Sequence, residues 1–189
     1  MPRVITGTAR GTMLRTPKGL NTRPTPDRVK EALFSILADR VYGASMLDLF
    51  AGSGQMGIEA LSRGAGHVLF VDNADESIEC IHTNLAKTRL ADKATIRRSD
   101  VLAVLSGLPR NEGIDLVYID PPYAEAVRIF EKIAGALSAE HLLHPSAIVM
   151  LEHSASDAPE DFVTKLKLMR RCKYGSVMIS FYGRCDTCN

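Results

Sequence analysis

Five short strand-like runs punctuate the chain, four of them apolar, Met46–Phe50, His67–Val71, Ile114–Ile119 and Ala147–Leu151, and one more polar, Ala94–Ser99. Each has the length of a buried strand and is too short for a core helix. Between them, residues at about 55–64, 74–89 and 124–138 read as helices. Strands alternating with helices in this way predict a parallel sheet with helices on both faces. Upstream, Val29, Leu33, Ile36 and Leu37 recur at helical spacing, with Thr25 placed as the cap, Pro26 at the first position and Asp27 in the first turn. Downstream, a polar stretch at 158–164 has a helix-like pattern. Leu166–Tyr174 and Ser176–Tyr182 then read as two strands about Gly175 with no helix between them, so an antiparallel edge is expected. Residues 3–17 read as two short strands separated by glycines, a β-hairpin arm.

The residues that carry chemistry gather where these strands end. The first strand runs into Phe50-Ala51-Gly52-Ser53-Gly54, with Gly57 following in the next helix. Glycines permit a tight turn and the close approach of a ligand, and the helix N-terminus offers unpaired N–H groups. Dinucleotide-binding folds use the same device, and its bland reading is a turn that needs room. The second strand ends in Asp72 and the third in Asp100. A carboxylate at the second strand tip can accept both hydroxyls of a ribose. Either acid alone could be a helix cap. The fourth strand delivers Asp120-Pro121-Pro122-Tyr123. Prolines carry no N–H and hold φ fixed, leaving carbonyls free in a rigid turn. Carbonyl, carboxylate and ring together can accept an exocyclic amine's N–H groups and stack the base that bears them. Pro-Pro can also simply end a strand, but four successive strand tips in register are hard to explain that way, because ligands sit there in open α/β sheets.

Composition narrows the setting. The chain has 189 residues, of which 46% are apolar and 24% charged, as in a soluble globular domain. No apolar stretch approaches the roughly 20 residues of a membrane span, and the N-terminus lacks the apolar core of a signal peptide. The cytoplasm is therefore the expected compartment. A net charge of +1 conceals an asymmetry: residues 1–30 hold seven basic side chains against one acid, Asp27. A basic, Gly- and Thr-rich arm points to a phosphate-backbone partner, with a solvated tail as the alternative. Cys80 and Cys172 read as unpaired. Cys185 and Cys188 form a C-x-x-C without the two further ligands zinc needs, and read as reduced thiols, with a disulfide or an intermolecular metal site as the alternative. The histidines are scattered, and no metal is expected.

The glycine turn, Asp72, Asp100 and Asp120-Pro121-Pro122-Tyr123, closing in a hairpin, resemble a class I S-adenosylmethionine-dependent methyltransferase. With Arg23-Pro24-Thr25-Pro26-Asp27-Arg28 through Phe34, Leu47 through Gly54, and Glu59 through Ala65, the chain is similar over nearly its whole length to the bacterial 16S ribosomal RNA (guanine-N2)-methyltransferase family. The resemblance implies an α/β fold with a doubly wound, mostly parallel, seven-stranded Rossmann-like sheet and antiparallel C-terminal edge strands. It implies a basic hairpin arm at 1–20 ahead of a methyltransferase domain at 21–189. The implied activity is methyl transfer from S-adenosylmethionine to the exocyclic N2 of a guanine. The implied partner is 16S ribosomal RNA or a small-subunit assembly intermediate, met by a monomer.

Roles follow from the resemblance residue by residue. The backbone of Phe50, Ala51, Gly52, Ser53 and Gly54 would hold the methionine part of the cofactor. Asp72, where many relatives have Glu, would take the ribose, with Asn73 beside it. Asp100 and the backbone at Val101 would bind the adenine edge, and Thr25 and Arg28 would lie near the cofactor's carboxylate. Asp120, Pro121, Pro122 and Tyr123 would hold the extruded base. Arg10, Lys18 and Arg23 would contact RNA. The chain departs from the family in having Tyr174-Gly175-Ser176-Val177 where relatives commonly carry a Tyr-Gly-Asp-Thr-like run. The Cys185/Cys188 pair has no role that the resemblance supplies.

Three other readings stay open on sequence grounds. An adenine-N6 nucleic-acid methyltransferase also uses (Asp/Asn)-Pro-Pro-Tyr. A nicotinamide-dependent oxidoreductase shares the glycine turn but gives Asp120-Pro121-Pro122-Tyr123 no task. A non-catalytic RNA-binding assembly factor could retain the fold.

Overall fold

A computed structural model describes residues 1–17, 25–109, 112–139, 142–157 and 159–185. Backbone contacts divide the chain into two units, Met1–Ser99 and Asp100–Asn189.

The first unit contains α1 (Asp27–Leu37), β1 (Ser45–Leu49), α2 (Gln55–Ser62), β2 (His67–Asp72), α3 (Asp75–Thr88) and β3 (Ala94–Arg98). Its strands are parallel in the order β3-β2-β1, with Leu47 beside Leu69 and Leu69 beside Thr95. Every residue of α2 is buried. It can lie close on the sheet because a Cβ at Gly57 would stand 2.3 Å from the Phe70 ring. α1 begins one residue later than its sequence suggests. Pro26, extended at φ −59° and ψ 148°, occupies the cap position, and its carbonyl accepts the N–H groups of Val29 and Lys30. Thr25 is buried and does not cap the helix.

The N-terminal segment is docked, not solvated. The expected pair of strands reduces to one antiparallel bridge between Arg3 and Met13. Backbone bonds flank that bridge, Leu14 N–H donating to the Pro2 carbonyl, Val4 N–H to Thr12 and Gly11 N–H to Val4 at 2.8, 3.0 and 2.8 Å, while Ile5 and Thr6 N–H donate to the Glu59 carboxylate at 2.7 and 3.0 Å, and Thr8 N–H to the Ser62 carbonyl at 2.9 Å. Val4 and Leu14 are buried. Gly7 meets α2 so closely that a Cβ there would fall 1.7 Å from the Ser62 carbonyl oxygen.

The second unit contains α4 (Val101–Gly107), β4 (Ile114–Ile119), α5 (Ala126–Ala139), β5 (Leu143–Ser154), β6 (Phe162–Val163), β7 (Leu166–Tyr174) and β8 (Val177–Arg184). Their order is β4-β5-β8-β7-β6, with β4 and β5 parallel and the remaining pairs antiparallel. The architecture is thus α/β, mostly parallel, with antiparallel C-terminal strands, as the pattern predicts. Among the described residues there are eight strands, not seven. The addition is β6, in the stretch whose polar pattern suggested a helix. There Phe162 and Val163 pair with Lys167 and Leu166 instead. α4 was not legible, because Val101-Leu102-Ala103-Val104-Leu105 is apolar without a helical period. Cys80 and Cys172 are free, whereas Cys185 is disulfide-bonded, against the expectation of a reduced thiol. Among the described residues no helix is long and apolar enough to cross a membrane.

Candidate active site

In the first unit the glycine turn joins β1 to α2. Phe50, Gly52 and Gly54 all have positive φ, at 62°, 56° and 74°. For Phe50 this conformation is unfavourable, so the surrounding contacts must impose it. One such contact is Asp72 at the tip of β2. Its Oδ2 accepts the Gly52 N–H at 2.8 Å and its Oδ1 accepts the Ala74 N–H at 2.9 Å. Each carboxylate oxygen has two lone pairs, so Asp72 keeps capacity for further donors while bracing the turn. Asn73 beside it is exposed.

Two buried polar residues that sequence reasoning did not single out hold this turn. Asn84 of α3 donates from Nδ2 to the Ser53 carbonyl at 2.8 Å and to the Arg15 carbonyl at 2.9 Å. Its Oδ1 accepts the Arg15 N–H at 2.7 Å. Asp48 of β1 accepts the Gly57 N–H, in the first turn of α2, at 2.8 Å. Burial raises its pKa from 3.8 to about 7, with the Gly57 hydrogen bond opposing the rise and the Asp72 charge adding to it. An acid inside the apolar run Met46-Leu47-Asp48-Leu49 was a readable signal, since buried acids need a reason. Asn84 gave none beyond lying on the same helical stripe as Ile81, Leu85 and Thr88.

Thr25 is buried at the start of α1 and Arg28 is exposed in its first turn. Arg10 is exposed on the docked N-terminal segment, while Lys18 and Arg23 lie outside the described residues. A groove of about 780 Å³, lined by Thr6, Tyr42, Arg63 and neighbours, sits at the C-terminal end of α2. The glycine turn is at the other end of that helix, so groove volume does not mark this site.

In the second unit Asp100 caps α4, its Oδ1 accepting the N–H groups of Leu102 and Ala103 at 2.9 and 3.1 Å. Val101 behind it is buried. Asp120 is half-buried immediately after β4, followed by buried Pro121 and exposed Pro122. The two prolyl carbonyls differ. Pro122's accepts the Glu125 N–H at 3.0 Å and closes a short 3-10 turn over Tyr123–Glu125, so it is not free as the sequence suggested. Pro121's accepts no hydrogen bond from the described residues. Nearby, the buried Tyr118 hydroxyl donates to Glu152 at the far end of β5. The ladder sets Ile119 beside Leu151, so Asp120 and Glu152 follow at adjacent strand ends. Glu152 is a further buried acid that sequence reasoning passed over. Burial pushes the His153 pKa below its ordinary value, and its ring is bonded to the Ser180 hydroxyl and the Ser154 carbonyl.

Parallel strands with a glycine turn and carboxylates at their C-terminal tips, closed by antiparallel strands, define the class I S-adenosylmethionine-dependent methyltransferase fold. A structure described as "Putative methyltransferase yhhF from Escherichia coli" superposes with a TM-score of 0.84 at 31% identity, covering 97% of this chain and 98% of that one. The family model described as Conserved hypothetical protein 95 matches residues 2–183, and the chain belongs to that family. A Bacillus subtilis relative named "Putative rRNA methyltransferase YlbH" is 34% identical over 96% of this chain and 98% of its own length. "Ribosomal RNA small subunit methyltransferase D" of Escherichia coli is 32% identical over 96% of this chain and 89% of its own length.

Proposed function

We propose that this protein transfers a methyl group from S-adenosylmethionine to the exocyclic N2 of a guanine in small-subunit (16S) ribosomal RNA. The observation that carries the reading is the turn after β4. It offers a half-buried Asp120 carboxylate and an open Pro121 carbonyl in a chain whose relatives include a small-subunit rRNA methyltransferase.

The residues of the first unit suit the donor. The glycine turn leaves room for a ligand, since a Cβ at Gly52 would have nothing within 4 Å among the described residues. Gln55, at the start of α2, has a buried Oε1 without a hydrogen-bond partner among the described residues, an acceptor that an ammonium group can satisfy. Phe50, Ala51, Gly52, Ser53 and Gly54 would hold the methionine moiety, with Thr25 and Arg28 toward its carboxylate. Asp72, with Asn73, would take the ribose hydroxyls, and Asp100 with the Val101 backbone the adenine edge. S-adenosylmethionine supplies a methyl group already activated on a sulfonium.

The chain's task is then to align a poor nucleophile. An exocyclic amine is delocalised into its ring. Accepting its two N–H groups at Asp120 and the Pro121 carbonyl favours rehybridisation and aims the lone pair. Positioning of this kind can contribute on the order of 7–11 kcal/mol. The surplus proton can leave after transfer, so no dedicated base is required. Pro122 stiffens the turn, and Tyr123 would stack on the extruded base, returning about 1–3 kcal/mol of the cost of unstacking. Arg10, with Lys18 and Arg23, would contact the RNA backbone as an arm spanning residues 1–20 ahead of the 21–189 domain.

The test is methyl transfer from labelled S-adenosylmethionine to small-subunit RNA, naked and in assembly particles, followed by digestion to nucleosides. N2-methylguanosine is expected. N6-methyladenosine, or no incorporation with either substrate, overturns the reading. Asp120→Ala is expected to lose transfer while still binding the donor by titration calorimetry.

A further inference from the structure

The C-terminal strands carry a charge pattern that methyl transfer at the β4 turn leaves unused. From Phe162 to Arg184 the sequence holds six basic side chains and no acid, in a chain whose net charge is only +1. Lys165, Lys167, Arg170 and Lys173 are exposed, and none of them forms an ion pair among the described residues. Arg171 differs, being tied to Asp161 at 3.0 Å and to the Pro159 carbonyl.

Two large apolar side chains stand among these cations. Phe162 is 54% exposed and Met169 is 60% exposed. Phe162 pairs across the ladder with Lys167, whose ammonium lies 5.5 Å from the ring centroid. Met169 rests against Gly183, the cross-strand partner of Lys167, where a Cβ would come within 2.7 Å of its sulfur. The ladder shifts register between Leu168 and Arg170, and beyond that point β7 has no outer neighbour among the described residues.

Lysines on an exposed strand edge guard against unwanted pairing with other strands. That accounts for cations, but it works against an exposed phenylalanine and methionine beside them. A merely solubilising surface would mix both signs of charge. Cations flanking an exposed ring are instead what a single-stranded nucleic acid requires: positive groups for its phosphates and a flat face for a base.

We propose that this edge is an RNA-binding surface additional to the N-terminal basic segment. Phe162 stacks an unpaired base, while Lys167, Arg170 and Lys173 contact the flanking phosphates. The inference rests on the reading of the substrate as RNA and adds that the substrate presents unpaired nucleotides to this edge.

Binding of the full-length protein to labelled oligouridine, and to a labelled RNA duplex, tests it across a salt series. Lys167→Gln/Arg170→Gln/Lys173→Gln is expected to flatten the slope of log affinity against log salt by about 2 on the single strand. Phe162→Ala is expected to weaken single-strand binding about five- to a hundredfold, with its salt slope and its duplex affinity unchanged. A triple variant that keeps the wild-type slope overturns the proposal. So does a Phe162→Ala protein that binds oligouridine as tightly as wild type, which would assign the ring to a protein partner. Methyl transfer to small-subunit RNA, measured on the same preparations, separates the two readings. Active wild type with an unchanged triple-variant slope removes this surface alone. Wild type that neither binds RNA nor transfers a methyl removes both.

Discussion

Asn84 ties the glycine turn to the N-terminal segment through one nitrogen, its Nδ2 lying 2.8 Å from the Ser53 carbonyl and 2.9 Å from the Arg15 carbonyl. The side chain is fully buried, so neither bond is traded easily for water.

Asn84→Ala therefore strips buried backbone groups of their partners. It is expected to lower stability by about 2–4 kcal/mol and to weaken S-adenosylmethionine binding at least tenfold, because the turn loses its support. Urea denaturation and titration calorimetry read the two effects. Unchanged donor affinity would make Asn84 a stability residue alone.

Asp48 predicts a pH dependence. Its folded-state pKa is raised from 3.8 to about 7, so the folded protein holds a proton that the unfolded chain releases. Stability from this group is full below about 3.8 and is lost as pH rises to about 7. Asp48→Asn keeps an acceptor for the Gly57 N–H but cannot ionise. It should flatten the fall in stability between those pH values by on the order of 1–4 kcal/mol. Parallel stability profiles for the two proteins would rule out Asp48 as the source.

Gly57→Ala forces a methyl group to within 2.3 Å of the Phe70 ring, where α2 meets β2. Overpacking of this kind typically costs about 1–3 kcal/mol. Gly57→Ala combined with Phe70→Leu should recover part of the loss, whereas strictly additive losses would mean that the ring is not the obstacle.

Tyr118→Phe removes the hydroxyl that Glu152 accepts in the interior of the second unit. Leaving a buried carboxylate with one donor fewer should cost about 1–3 kcal/mol. Because the pair underlies the strand end that carries Asp120, methyl transfer should fall while donor binding is unaffected. Full activity would separate this pair from the catalytic turn.

Much of the fold was legible because its signals are local. Strand length, helix spacing and glycine turns depend on neighbouring residues, and β1 through β4 fall close to where the short strand-like runs place them. The misreadings involve tertiary competition. The 3–17 arm does fold back on itself as its sequence suggests, but the pairing is short, because Glu59 and Ser62, some fifty residues away, take the backbone donors of Ile5, Thr6 and Thr8. Phe162 and Val163 become a strand only because β7 lies alongside. The framework of the candidate site was legible where an acid stands at or just past a strand end, as Asp72, Asp100 and Asp120 do. It was not legible where a polar residue works from inside the core, as Asn84 and Glu152 do. Their neighbours in sequence say nothing about what they will meet.

The docking of the first residues onto α2 also has a consequence for synthesis. Ile5, Thr6 and Thr8 find their acceptors on Glu59 and Ser62, so the amino end cannot seat until that helix has left the ribosomal tunnel. Until then Val4 and Leu14, which end up buried, face water on a nascent chain and are open to capture by chaperones.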